Sequence, residues 1–144
     1  MPPPLLFAAA LGAGFLIDGT PLGTRTAGHP SQWIGGAVAL AGAVLVVATL
    51  GLFRRFRTRP EPWQPADALI ATGLYRFSRN PMYLGMALLS AGIAILLESA
   101  AAAVLVAIVT VIIDRFVIER EEAYLARRFA DAYAAYRQQV RRWL

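Results

Sequence analysis

The sequence predicts an all-α integral membrane bundle of about four transmembrane helices, including a C-terminal helical hairpin, followed by a cytoplasmic amphipathic helix. Three observations carry this. Of 144 residues, 58% are apolar and only 16% charged, too apolar a balance for a soluble domain of this length. Two long stretches are almost free of charge. Of the arginines, which supply all fourteen basic residues, thirteen fall on one side of the topology that those stretches imply. One domain is expected, in four parts. Residues 1–53 form two N-terminal spans, 54–80 a cytoplasmic linker, 81–118 a transmembrane hairpin and 119–144 a cytoplasmic amphipathic tail.

The first span is MPPPLLFAAALGAGFLID. It lacks the basic flank of a signal peptide and reads as retained. The second, Trp33 to Phe53, runs 21 residues without a charge, enough to cross about 30 Å of hydrocarbon. Its small residues recur four apart, as Ala37 and Ala41 and as Gly35, Ala39 and Ala43. That spacing lets a second backbone approach closely in lipid. From Pro81 to Ile113, 33 residues hold one charge, Glu98. As one straight helix they would measure about 50 Å, well beyond the hydrocarbon thickness. A hairpin turning near Glu98 and Ser99 fits, with arms Met82–Leu97 and Ser99–Ile113.

With the turn Asp18–Gln32 and the hairpin tip outside, one arginine, Arg25, lies outside and thirteen lie inside. The positive-inside rule then sets both termini in the cytoplasm. The composition, rich in alanine and arginine and without lysine, points to a GC-rich bacterial genome, and with the spans to a multi-pass protein of the bacterial cytoplasmic membrane. Arginines ordered by topology make no basic face, so no nucleic-acid partner is expected.

Between the second span and the hairpin, Pro60, Pro62 and Pro65 keep the linker extended. Trp33 and Trp63 read as interface anchors. In the tail, Leu125, Phe129, Ala132, Tyr136 and Val140 recur on one helix face. Such a helix lies on the membrane surface or folds back under the bundle.

Several chemistries are excluded. There is no cysteine, hence no disulfide, thiolate nucleophile or thiolate metal site. The single histidine, His29, sits in the outer turn, and no metal is expected. Without lysine there is no Schiff base. GxGxxG, GxxxxGK[ST], HExxH and GxSxG are absent.

Two polar clusters remain, and the hairpin brings them to the same end. One is GLYRFSRNPMYLG, Gly73–Gly85. The other is Asp114-Arg115 followed by Glu119, Arg120, Glu121 and Glu122. Asp114, Glu121 and Glu122 share a helix face, and Arg115 and Glu119, one turn apart, can pair. Each feature has a purely structural reading. Asn80-Pro81 resembles a helix cap with proline at the first helical position. Tyr75 and Tyr83 could be belt aromatics, and the glutamates a solvated face. Together they describe a polar pocket at membrane depth, where ionisable groups are costly and functional. Asp114 has a further option, pairing with Arg76, Arg79 or Arg115.

Those two stretches resemble the isoprenylcysteine carboxyl methyltransferase and phospholipid methyltransferase superfamily of integral membrane enzymes. Gly73, Tyr75, Arg76, Arg79, Asn80, Pro81, Tyr83 and Gly85 match its first motif. Glu121, Glu122, Phe129, Tyr133 and Tyr136 match its second. The resemblance covers about residues 71–144. It implies a cofactor, S-adenosyl-L-methionine, roofed by the C-terminal segment, and a lipophilic small molecule or lipid as acceptor, entering from the bilayer. It marks Arg76, Asn80, Glu121 and Glu122 as catalytic candidates. Tyr75, Arg79, Tyr83, Leu84, Gly85, Glu121, Glu122, Tyr133 and Tyr136 become candidates for holding the cofactor. Glutamates accept from ribose hydroxyls or an amino group, Arg76 or Arg79 can hold a carboxylate, and tyrosine faces suit the adenine or the sulfonium.

Two positions depart from the pattern. Leu74 replaces a proline, and Asn80 stands where the prenylcysteine enzymes have histidine. Asparagine is no base at neutral pH. A protic acceptor would need Glu121, Glu122 or Asp114 for that role, and a carboxylate acceptor would need none. Two other readings are a nicotinamide-dependent membrane reductase of similar C-terminal architecture and a non-catalytic helical scaffold.

Overall fold

In a computed structural model, residues 2–19, 30–56 and 69–144 are described, and among them the chain is helical with no strand. Helix α1 spans Pro3–Asp18, α2 Pro30–Arg55, α3 Pro81–Leu96, α4 Ala100–Ile113 and α5 Glu119–Gln139. A 3₁₀ turn, Gly73–Arg76, precedes α3, and a π turn, Asp114–Ile118, joins α4 to α5. The expected border at 118/119 is no break: the helix runs on from α4 through the π turn into α5 and breaks only at Ala130. His29, Trp63, Pro60, Pro62, Pro65, Arg25, Arg57 and Arg59 lie outside the described residues.

The hairpin turns where its charge pattern requires. Glu98 takes a left-handed φ of 52°, and Ser99 caps α4, accepting from Ala102 N at 3.1 Å. The Ser99 hydroxyl donates to Asp18 Oδ2 at 2.6 Å, and that oxygen also takes Ala101 N at 3.2 Å. Ser31 donates to Glu98 Oε1 at 2.8 Å. The end of α1, the start of α2 and the hairpin tip are thus tied at one end of the bundle. The 3₁₀ turn, the π turn and the chain terminus lie at the other.

Side chains too small to separate backbones set the packing. A Cβ on Gly35 would overlap the Leu96 backbone, one on Gly42 that of Leu89, and one on Gly92 that of Ala39. Helices α2 and α3 therefore meet at the closest approach two helices allow. The stripe runs Gly35, Ala39, Gly42 and Thr49, whereas Ala37 and Ala41 face outward. Steps of four and three, not strict fours, follow one face of a 3.6-residue helix. Gly14 brings α1 against Ala102 of α4 in the same way.

The outward faces are apolar. Ile34, Leu40, Val44 and Val47 on α2, with Val104, Ile108, Val111 and Phe116 further along, are all exposed. Two helices, Pro30–Arg55 and Ala100–Gln139, are long and apolar enough to cross a membrane. Only 17% and 22% of their most apolar windows are buried. A core helix of a soluble protein would be mostly buried, so these faces suit lipid. Helices α1 and α3 have 16 residues each, about 24 Å at 1.5 Å per residue, so length alone supports two spans, not four.

Helix α5 is broken at Ala130, with φ 38° and ψ −113°. The break re-phases the tail. Tyr133, not Ala132, joins Leu125, Phe129, Tyr136 and Val140 in the cluster that packs on Leu69 and Tyr75, while Ala132 is exposed. The tail thereby packs against the residues ahead of α3.

Candidate functional site

Gly73 opens the polar turn with φ +62°, a conformation only glycine adopts without strain. Pro81 starts α3, where its missing N–H loses no hydrogen bond. Asn80 does not cap that helix: no side-chain cap bond forms. Its Nδ2 donates instead to the Arg142 carbonyl at 3.2 Å. Ser78 Oγ reaches the same oxygen at 3.3 Å, and Arg79 N donates to the Arg141 carbonyl at 3.0 Å. The turn is stitched to the last residues of the chain.

The acid face closes the other side. Tyr83 donates to Glu121 Oε2 at 3.0 Å. Arg79 Nη1 and Glu122 Oε1 lie 3.1 Å apart, each side chain only 9% exposed. The other oxygen of Glu122 takes Arg142 Nη2 at 2.9 Å. Arg142 Nη1 lies 3.3 Å from Asp114 and 3.7 Å from Glu119. Trp143 Nε1 donates to Asp114 Oδ1 at 3.1 Å. Arg115 pairs with Glu119 at 3.2 Å, as its spacing predicts. Asp114 takes Arg142 and not Arg76, Arg79 or Arg115, because the chain end folds over it. The π turn begins at Asp114, and such bulges often re-aim side chains at functional sites.

Burial lifts the Glu121 carboxyl above the ordinary carboxylate range. The Tyr83 hydroxyl opposes that rise, and the neighbouring Glu122 charge adds to it. Burial likewise raises the phenols of Tyr75, Tyr133 and Tyr136 and keeps them neutral. The hydrogen bond to Glu122 raises the Arg142 guanidinium further.

Two spaces adjoin these groups. A cavity of about 20 Å³, lined by Phe53, Tyr75, Arg79, Asn80, Met82, Tyr83 and Glu121, is room for about one water. An open groove of about 570 Å³ runs along α5 past Ala126, Ala130, Tyr133 and Arg137, the size of small-molecule sites. Arg79 stands between them, lining the first and sitting against Tyr133 in the second. Arg79 Nε and Nη1, Glu122 Oε1 and Tyr133 Oη are buried and make no well-aligned hydrogen bond, although Arg79 lies against both the Glu122 carboxylate and the Tyr133 hydroxyl. The Arg79–Glu122 pair is close but not aligned as a hydrogen bond. Unspent buried donors cost free energy unless a ligand uses them.

Not every candidate joins the cluster. Tyr75 does, accepting from Tyr136 Oη at its carbonyl at 2.7 Å. Arg76 is exposed and pairs with no described residue. Leu84 contributes its backbone N–H to the Asn80 carbonyl within the helix. Gly85 faces α2, where a Cβ would meet the Gly42 carbonyl at 3.0 Å. Its glycine serves helix packing. The sequence reading missed Arg142, Trp143 and Ser78. Arg142 counted as one of many topology arginines. Only the fold-back of the terminus distinguishes it. No group of three or more potential metal ligands occurs among the described residues.

A family model described as phospholipid methyltransferase matches residues 30–132, from α2 through about the first two-thirds of α5. A 63-residue stretch, 44% of this chain and all of the relative, is 41% identical to a protein of Haemophilus influenzae described as uncharacterized.

Proposed function

Because the chain belongs to the phospholipid methyltransferase family of membrane methyltransferases, we propose that it transfers a methyl group from S-adenosyl-L-methionine to a lipophilic acceptor, such as an isoprenylcysteine-like carboxylate or a lipid, that enters from the bilayer. The observation that carries this is the set of unspent buried groups, Arg79 Nε and Tyr133 Oη beside Glu122, at the end of helices with lipid-facing flanks. Such groups fit the cofactor: two donors for its carboxylate, and carboxylates for its amino group or ribose. S-adenosyl-L-methionine supplies an electrophilic methyl on a sulfonium.

The protein's own part is positional. Arg79 and Tyr133 orient the donor end. Tyr83 and Glu121 line the small cavity and receive the reacting group of the acceptor. Phe53 and Met82 supply its apolar lining. In-line transfer depends on alignment in a dry site, so no covalent enzyme intermediate is required. Glu121 is the carboxylate best placed to take a proton, since its partner there is a neutral phenol and not an arginine. Arg76 and Asn80 act at most through the turn. The whole chain is one membrane domain of four spans with both termini cytoplasmic.

Calorimetric titration of the detergent-purified protein with S-adenosylhomocysteine tests the reading. Wild type should bind, and Glu122→Gln should bind at least tenfold more weakly. Absence of heat for wild type at millimolar ligand, or binding of a nicotinamide nucleotide in its place, would sink it. Labelled-methyl transfer into a lipid extract then identifies the acceptor.

A further inference from the structure

We propose that Arg142 is a positioning residue that assembles the donor site through the C-terminal strap, residues 140–144. The proposal rests on the reading of this site as a methyl-donor pocket. Helix α5 ends at Gln139, and Val140 turns to extended backbone, φ −124° and ψ 131°. The residues after it cross the polar cluster. Their backbone binds only the turn: the Arg141 carbonyl takes Arg79 N, and the Arg142 carbonyl takes Asn80 Nδ2 and Ser78 Oγ. Their polar side-chain bonds go to the acid face: Arg142 takes Glu122, Asp114 and Glu119, and Trp143 takes Asp114 while its ring packs against the core cluster that holds Tyr83 and Ile113. The two walls share few direct bonds, Tyr83 to Glu121 and the poorly aligned Arg79–Glu122 pair. Further along α5, Tyr136 adds one link to the Tyr75 carbonyl, and the strap supplies the rest.

The guanidinium geometry gives Arg142 a specific task. Its two terminal nitrogens go to two acids eight residues apart on one helix, Nη1 to Asp114 and Nη2 to Glu122. That fork fixes Glu122 with Oε2 spent and Oε1 turned toward Arg79. Arg79 is thereby held with Nε unspent. A lysine offers one point charge and cannot bridge both acids in that way. Arg142 touches neither small cavity nor groove, so it acts through Glu122 and Arg79.

The test uses the full chain carrying Trp33→Phe and Trp63→Phe, which leaves Trp143 as the sole indole. Without ligand, Arg142→Ala should red-shift and weaken Trp143 emission as the strap lifts, while Arg142→Lys keeps it near the parent. S-adenosylhomocysteine binding should fall about tenfold in Arg142→Lys and by roughly a hundredfold in Arg142→Ala. In the double variant Arg142→Lys/Glu122→Gln the two losses should not add, because both act on one contact. A mere tether would be fully rescued by lysine, and that rescue overturns the proposal. So does unchanged emission in Arg142→Ala, or additive losses in the double variant. If the parent itself fails to bind, the donor-pocket reading fails and takes this inference with it. If the parent binds and both Arg142 variants bind equally well, this inference alone fails.

Discussion

At the scale of single residues, Glu121 gives the sharpest expectation. Its folded carboxyl is raised above the ordinary value by burial, so the folded state holds the proton more tightly than the unfolded state. Stability from this group is complete below glutamate's usual pKa, about 4.3, and declines as pH rises through the folded value. Glu121→Gln removes that decline and can still accept from Tyr83. Melting curves should therefore coincide near pH 4 and favour the variant at pH 8, while methyl transfer is lost. A variant that melts lower than wild type at pH 8 would show that the charge is stabilised in place. Such a trade, stability for function, is expected where a charge is held in a dry site. Tyr83→Phe should unbalance the same group in the opposite sense. It removes the donor that opposes the rise, leaves the fold intact and steepens the loss of stability with pH, as parallel melts at pH 6 and 8 would reveal.

Which of these residues can be read from sequence depends on how local their partners are. Asp114, Glu121 and Glu122 share a face because helix periodicity fixes it, and Arg115–Glu119 is a pair one turn apart. Asn80-Pro81 looked like a cap because both residue types favour that position. A competing acceptor 62 residues later, the Arg142 carbonyl, takes the side chain instead. Periodicity carries no information about a contact of that sequence separation.

At the scale of elements, the close packing of α2 was legible in kind but not in partner or register, and the α1–α4 approach through Gly14 was not read at all. Small residues announce a close helix pair, but which stripe is used depends on the partner. The same limit applies to α5, where the break at Ala130 substitutes Tyr133 for Ala132 in the buried face. The φ and ψ at Ala130 are the mirror image of a region that L-residues favour, so a Cβ is strained there and glycine is not. Strain of this kind is of order 1–3 kcal/mol, against about 1 kcal/mol for glycine's helix penalty. Ala130→Gly should therefore be neutral to stabilising, raising the melting temperature by up to about 4 °C. A fall of several degrees would mean that the break is not held under strain. Gly42→Leu, by contrast, sets a side chain against the Leu89 backbone, which cannot yield. Loss of the folded species on size exclusion in detergent is expected.

At the scale of the molecule, sidedness is the property on which site and membrane must agree. One end of the bundle is closed by short uncharged-to-acidic bonds, Ser99 to Asp18 and Ser31 to Glu98. The other holds Arg54, Arg55, Arg79, Arg115 and the strap arginines. Charge thus separates along the bundle axis just as the positive-inside rule needs, and the proposed donor pocket falls at the arginine-rich end, which that rule assigns to the side where a soluble cofactor would be made. Helices of 16 residues span less than a full hydrocarbon core, which brings the polar cluster closer to the acyl chains than a long helix would. A lipophilic acceptor could then reach Tyr83 and Glu121 without leaving the bilayer. The chain has no cysteine, so single-cysteine labelling is unambiguous. Ala100, exposed at the hairpin tip, and Leu144, 72% exposed at the terminus, report the two ends. With a membrane-impermeant maleimide, Ala100→Cys should label in intact cells and Leu144→Cys only after permeabilisation. The reverse pattern would put the pocket outside, where no cytoplasmic methyl donor reaches it, and both the orientation and the proposed activity would fall together.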